Sequence, residues 1–352
     1  MKRISPLVSF SAGLLIVCMI LVAGAFQLGK SRRDTGSSAA APAAASVSTL
    51  EASANDSAVE TSPDPVITLS GDAEMTMNSE DHFIDPGCTA VDAQGNDLTA
   101  SVTTESDVDQ NTPGNYTVTY SVTDGNGRTA TATRNVHVVQ RPADPTEKVI
   151  YLTFDDGPSQ YTQKLLDVLD KYDIKVTFFV TNAAPDYQDM IAKEYEAGHS
   201  IAIHTYTHDY DTVYASEEAY FDDLNKMQDV IVQQTGVKTH MLRFPGGSSN
   251  TVSNICPGLM TRLTEEVQNM GFQYYDWNVS SGDAGLTTDT SVVYENVISG
   301  IQDCDAAVVL QHDSKGYSVD AVEDIIKWGL DNGYTFLPLH LNSPAAHHPV
   351  NN

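Results

Sequence analysis

The stretch Tyr151–Gln160, YLTFDDGPSQ, ends an apolar run on two adjacent carboxylates. A strand sends successive side chains to opposite faces. Asp155 and Asp156 can therefore share a direction only where the strand has begun to bend. Gly157-Pro158 is a pair that punctuates turns and predicts a bend here. The two carboxylates then stand at the carboxyl end of a strand, the end at which α/β folds build their sites. A solvated turn carrying a helix cap would use the same residues, so the rest of the chain has to decide between the two.

Downstream the pattern alternates. Apolar strands are predicted near Val149–Phe154, Val176–Val180, Ser200–Ile203, Met241–Phe244, Phe272–Trp277, Ala306–Leu310 and Tyr334–Leu337. Between them lie helical patterns such as YTQKLLDVLDKY, EAYFDDLNKMQDVIVQQ and LMTRLTEEVQNM. Alternation of this length predicts an α/β domain over residues 149–342, with a parallel sheet closed into a barrel. Upstream, residues 65–140 have a different texture. In YTVTYSVTDGNGRTATATRNVHVV, β-branched and aromatic residues alternate around Asp124-Gly125-Asn126-Gly127, which predicts a hairpin. With the shorter runs PVITLSG and LTASVTT it predicts a small antiparallel sandwich. Residues 141–148 read as a proline-bearing linker and 31–64 as a flexible stalk of small polar residues. The tail 343–352, with His347 and His348, reads as disordered and solvated.

The N-terminus carries Lys2 and Arg3 before an uncharged apolar run from Pro6 to Leu28, roughly long enough to cross a bilayer. Residues 1–30 are read as a membrane anchor. The Ala-Gly-Ala before Phe26 offers a signal-peptide cleavage site as the alternative. The chain has 352 residues, enough for two domains, and a formal net charge of -28. So acidic a surface repels phosphate backbones and argues against nucleic acid as a partner. Cys18 lies in the apolar run. Cys256 and Cys304 form a candidate disulfide because both fall in the barrel domain and the outside of the cell permits one; free buried thiols are the alternative.

The strand ends supply a constellation. After the third strand of the barrel domain come His204 and His208 in HTYTH, four residues apart. They can present both imidazoles to one ion if the segment turns helically. Two imidazoles and one carboxylate make a catalytic metal set that leaves room for water, and zinc is the expected ion, with cobalt or another divalent ion as alternatives. One aspartate of the pair suffices as a ligand and the other is free to take a proton from that water. Arg243 in LRFPGGS can hold the base carboxylate ionised. His312 in VVLQHD is placed to act as general acid. His199 is better read as structural.

In this order, Asp155-Asp156, His204 with His208, Arg243-Phe244-Pro245, Asp283 and Leu310-Gln311-His312 resemble the motifs of the polysaccharide deacetylases, carbohydrate esterase family four with its NodB homology domain. FIDPGCTAVDAQGNDLT and the hairpin after it resemble bacterial immunoglobulin-like repeats. The first resemblance implies a distorted, seven-stranded (β/α) barrel that removes acetyl groups from aminosugar polymers with a bound metal. It implies Asp155 as base, Asp156, His204 and His208 as ligands, Arg243 as a brace for Asp155, His312 as acid and Asp283 as its support. Leu310, Pro245 and Gly246 would meet the substrate. Two departures stand out. Gly246 occupies the position of an aromatic and Ala284 that of a tryptophan, which leaves the aromatic walls of the groove unaccounted for. The substrate implied is peptidoglycan N-acetylglucosamine at the outer face of the membrane or in the wall. Deacetylation of chitin, xylan or an exopolysaccharide is an alternative, and so is a wall-binding protein without catalysis.

Overall fold

The computed structural model describes residues 63–352; the expected anchor, its cleavage site, Cys18 and the stalk up to residue 62 lie outside the described residues. Among the described residues no helix is long and apolar enough to cross a membrane.

The N-terminal part folds as strands β1 (Val66–Leu69), β2 (Glu74–Asn78), β3 (Cys88–Val91), β4 (Thr103–Ser106), β5 (Gly114–Thr123) and β6 (Thr129–Val139). They form a four-stranded sheet in the order β2-β6-β5-β4 and a two-stranded sheet β1-β3. The expected hairpin is β5-β6, antiparallel from Gly114↔Val138 to Thr123↔Thr129. Asp124 sets its turn, because its Oδ1 accepts the amides of Asn126 and Arg128, both at 2.9 Å. Alternation then sends Val118, Tyr120, Val136 and Val138 into the core. The run LTASVTT is only partly extended: Thr99–Ser101 forms a 3-10 turn before β4.

The second part carries strands β7 (Val149–Asp155), β8 (Thr177–Thr181), β9 (Ser200–Thr205), β10 (Met241–Leu242), β11 (Gln273–Tyr274), β12 (Val279–Ser280), β13 (Ala306–His312) and β14 (Thr335–Phe336). Helices α1 (Thr162–Lys171), α2 (Met190–Glu196), α3 (Tyr210–Val213), α4 (Glu217–Thr235), α5 (Leu259–Asn269), α6 (Thr290–Gln302) and α7 (Gly316–Asp331) lie between them. The strands run parallel in the order β11-β10-β9-β8-β7-β13-β12, and β14 pairs with the start of β7. No ladder joins β11 to β12, so the sheet is an open, distorted barrel. Every residue of β7 is buried, because the strand is covered on both faces. Val149 and Tyr151 point into the barrel with Phe179, Ala202, Tyr275 and Leu339. Ile150, Leu152 and Phe154 face the helices.

In the linker 141–148, Asp144 accepts hydrogen bonds from Tyr151 Oη at 2.8 Å and Ser343 Oγ at 2.7 Å. Two expectations are corrected here. The tail 343–352 is ordered, because it finds partners along the open side of the sheet. His347 stacks on Tyr274 with ring centroids 3.8 Å apart. The His348 amide donates to Asp276 Oδ2 at 2.8 Å, and the Asn352 carbonyl accepts the Thr261 amide at 2.7 Å. Cys256 and Cys304 are free thiols. Cys256 follows β10 and precedes α5, at the end where the parallel strands finish. Cys304 follows α6 and precedes β13, at the end where they start. Opposite ends of the sheet are too far apart for a bridge.

Candidate active site

The bend expected after Asp155 is real. Asp156 leaves the strand with φ +69°, a left-handed conformation uncommon for a residue with a side chain and often kept at functional sites. The kink is what brings the neighbouring carboxylates together. His204 Nε2 lies 3.8 Å from Asp155 Oδ2 and 3.7 Å from Asp156 Oδ1. The turn is held from behind by Asp313. Its backbone carbonyl accepts Ser159 Oγ at 2.7 Å, its carboxyl accepts the Thr162 hydroxyl, and a Cβ on Gly157 would overlap it.

His204 is the penultimate residue of β9, and its Nδ1–H donates to the Arg243 carbonyl at 2.8 Å. That bond leaves Nε2 facing the carboxylates. Burial, reinforced by the neighbouring His208, pushes His204 down to about 3, so its ring is neutral and free to ligate. His208 arrives by a bend rather than by the expected helical turn. Its φ is +53° and its amide donates to Thr205 Oγ1 at 3.0 Å. Asp223 on α4 holds the bend through the amides of Tyr206 and Thr207 at 2.6 and 3.1 Å. His208 Nε2 is 3.2 Å from Asp156 Oδ1. Asp156, His204 and His208 each offer one ligand atom, all within 4.8 Å of one another. Asp156 Oδ1 is buried and has no hydrogen-bond partner, a costly arrangement for a lone carboxylate. The donor set and this orphaned oxygen fit a divalent cation.

Asp155 is only 2% exposed and faces Arg243, itself fully buried. Arg243 donates to Asp155 Oδ1 and Thr153 Oγ1, both at 2.7 Å, and to the carbonyls of Tyr275 and Asp276, both at 2.9 Å. Its guanidinium also lies 4.1 Å from the centroid of the Phe179 ring. Arg243 favours the ionised form of Asp155, as expected, but burial acts against it. Burial raises that carboxyl above its ordinary value, and Arg243 only partly opposes the rise.

On the neighbouring strand His312 pairs in register with Asp155, and Leu310 with Thr153, so these side chains share the inner face. His312 Nδ1–H donates to Asp283 Oδ1 at 2.8 Å, and the His312 amide donates to Asp283 Oδ2 at 2.8 Å. Burial alone would lower the imidazole. The Asp283 hydrogen bond and charge, with Asp155 and Asp156 beyond, outweigh it and lift His312 to about 9. Asp313 is buried and has no ion-pair partner among the described residues, and burial foremost pushes it up to about 7.

Asp155, Asp156, His204, His208 and His312 line a cleft of about 360 Å³ with Tyr210, Gly246, Trp277, Ala284, Leu310 and Lys315. Leu310 and Gly246 are at the cleft as expected. Pro245 is not: it is buried, and its carbonyl is taken by Tyr214 Oη at 2.8 Å. Sequence reasoning missed Tyr210, Trp277 and Lys315. Tyr210 supplies the aromatic that Gly246 lacks. At Gly246, φ +74°, a Cβ would lie 3.6 Å from Tyr210 Oη, so the backbone and the phenol of a distant segment share one wall. The signal was present as Tyr210 two residues after His208, but nothing local says which way its ring turns. His199 is buried and structural, as expected, its Nδ1 accepting the Val176 amide at 3.2 Å; Asp276, on the strand-end segment before Trp277, binds Ser248 and the tail.

A parallel sheet with a two-histidine, one-aspartate cluster and an Asp-His pair facing it at the strand ends defines a hydrolase site of the metal-dependent class. The sequence pattern of the family described as Polysaccharide deacetylase matches residues 143–257, and that of the Ig-like domain of bacterial surface proteins matches 67–138. A peptidoglycan-N-acetylglucosamine deacetylase of Bacillus cereus is 33% identical over 210 residues, covering 58% of this chain and 72% of the relative. The crystal structure of the catalytic domain of a peptidoglycan N-acetylglucosamine deacetylase from Eubacterium rectale is 59% identical with a TM-score of 0.59, covering 60% of this chain and 96% of that one. A Bacillus cereus polysaccharide deacetylase structure is 34% identical with a TM-score of 0.50, covering 58% and 96%. The chain belongs to the polysaccharide deacetylase family, with an Ig-like domain on its N-terminal side.

Proposed function

We propose that this chain removes N-acetyl groups from N-acetylglucosamine in peptidoglycan. The observation that carries the reading is that two buried pairs meet at one cleft through Asp155 and His312, neighbours in register. Asp155 with Arg243 stands beside the ligand cluster, and His312 with Asp283 stands on the adjacent strand. The peptidoglycan specificity of the relatives from Eubacterium rectale and Bacillus cereus supports the choice of polymer.

Asp156, His204 and His208 would hold the ion, and we infer zinc from two neutral imidazoles and a carboxylate. Bound there, the ion would lower the pKa of a water and polarise the acetyl carbonyl. Asp155 accepts the proton of the attacking water. A raised carboxyl is the better base for this once ionised. The water oxygen bonds to the acetyl carbon, the carbon–nitrogen bond breaks, and acetate and the sugar amine leave. An amide anion is a very poor leaving group, so the nitrogen needs a proton as the bond breaks. His312, kept charged by Asp283, donates it. Leu310 borders the space left for the acetyl methyl, and Tyr210 and Trp277 offer ring faces to the sugar. The apolar run from Pro6 to Leu28 supports anchoring at the outer face of the membrane, beside the wall.

The test is to digest purified peptidoglycan after treatment with the full chain and to weigh its muropeptides. Loss of one acetyl group from the glucosamine, with equimolar acetate, is expected. Acetate released from chitin or acetylated xylan but not from peptidoglycan would overturn the choice of polymer.

A further inference from the structure

Lys315 lines the same cleft as the ligand cluster and His312. A turn closed by the Lys315 amide on the His312 carbonyl at 3.2 Å fixes its backbone to the strand that delivers the acid. It is part-buried, and among the described residues it makes no ion pair, although the chain holds 47 Asp and Glu against 19 Lys and Arg. Six other lysines bond an acid or a carbonyl: Lys148, Lys164, Lys171, Lys175, Lys193 and Lys327. A cation left unpaired at the mouth of an acidic cleft is available to a ligand.

The two sides of the cleft differ. One carries the rings of Tyr210 and Trp277 around Gly246. The other carries Lys315 and Ala284, and it is open. Ala284, where the family resemblance puts a bulky ring, is exposed, and so is Leu286 two residues on, at 89%. Tyr317 joins this loop to the start of α7 through its hydroxyl on the Asp283 carbonyl at 2.8 Å. Rings suit the faces of neutral sugars. The cationic, open side suits a branch that bears negative charge.

Building on the deacetylase reading above, we propose that Lys315 reads a carboxylate carried by the sugar next to the acetylated glucosamine. Two sources share that chemistry: the lactyl carboxylate of a muramic residue, and the free carboxylates of its stem peptide. The expected gain is about tenfold in kcat/KM, the scale of one charge-assisted hydrogen bond. It should shrink with added salt, because the site is open to solvent.

The test uses the full chain and follows acetate released from matched glycans. One pair is the glucosaminyl-muramic disaccharide with its lactyl carboxylate free or converted to the methylamide. The other pair carries a stem peptide with free or amidated carboxylates. Wild type should prefer the ionised member of one pair by about tenfold. The pair that shows the preference identifies the source. K315Q should bring the ratio close to one, and K315R should keep most of it. Equal rates on ionised and amidated glycans, or a preference that survives K315Q, overturn this proposal alone. Acetate from none of the glycans overturns the deacetylase reading and this proposal with it.

Discussion

Replacing Asp283 by Asn tests the acid side of the site most directly. In the native protein Asp283 accepts both the amide and Nδ1–H of His312 at 2.8 Å, and His312 stands at about 9 against an ordinary 6.5. Asparagine has one acceptor oxygen and no charge, so one of these donors loses its partner and burial then dominates. His312 should return to 6.5 or below. At pH 8 the charged fraction would fall about thirtyfold, whereas at pH 6 it would change less than about twofold. The basic limb of the kcat/KM profile on an acetamido sugar should therefore move toward acid by about two pH units, with the acid limb in place. A cation in the site would lower His312 in both proteins and leave their separation. Stability follows the same linkage. A folded-state pKa raised above the unfolded value stabilises below pH 6.5, and the stabilisation fades as pH rises through about 9. In urea the metal-free D283N protein should thus lose about 3 kcal/mol more at pH 6 than at pH 10, where only the cost of the unpaired donor remains. An activity loss equal at pH 6 and pH 8 would refute the assigned role of Asp283.

Asp155→Asn keeps the Arg243 contact but cannot take a proton; turnover should fall about 10³-fold with metal content unchanged by elemental analysis. His204→Ala removes a ligand, so the protein should lose both ion and activity on dialysis, and full metal stoichiometry with full turnover would contradict the cluster. Arg243→Met leaves Asp155 buried without its cation and two carbonyls without a donor. The cost should be about 3 to 5 kcal/mol by chemical denaturation, and less than about 1 would show the pair to be dispensable. Thiol titration of denatured, unreduced protein should count Cys88, Cys256 and Cys304 all free; a bridge between the last two would disprove the placement at opposite ends of the sheet.

The chain's own pattern was enough for the architecture and most of the chemistry. A β-strand covered on both faces must be apolar throughout, so VIYLTFD announces a central strand, and the two acids that end it mark the carboxyl edge. Residue types and their order along the chain are local facts too, which is why two histidines and one carboxylate of an aspartate pair read as a candidate ligand set, with Asp156 singled out by the family resemblance. Only the folded chain decided the rest. The left-handed turn at Asp156 depends on Asp313, more than 150 residues away in sequence, lying against Gly157. The charge of Asp155 depends on how deeply the barrel buries it, a quantity no short stretch contains. Pro245 sits in a motif yet turns away because Tyr214 binds its carbonyl, and Tyr210 comes to the wall from another element. The tail reads as disordered because it has no periodicity. It is ordered by the connection that follows β11, where the Asp276 carboxylate and the Trp277 carbonyl hold His348 across 72 and 71 residues of sequence, a pairing no local pattern contains.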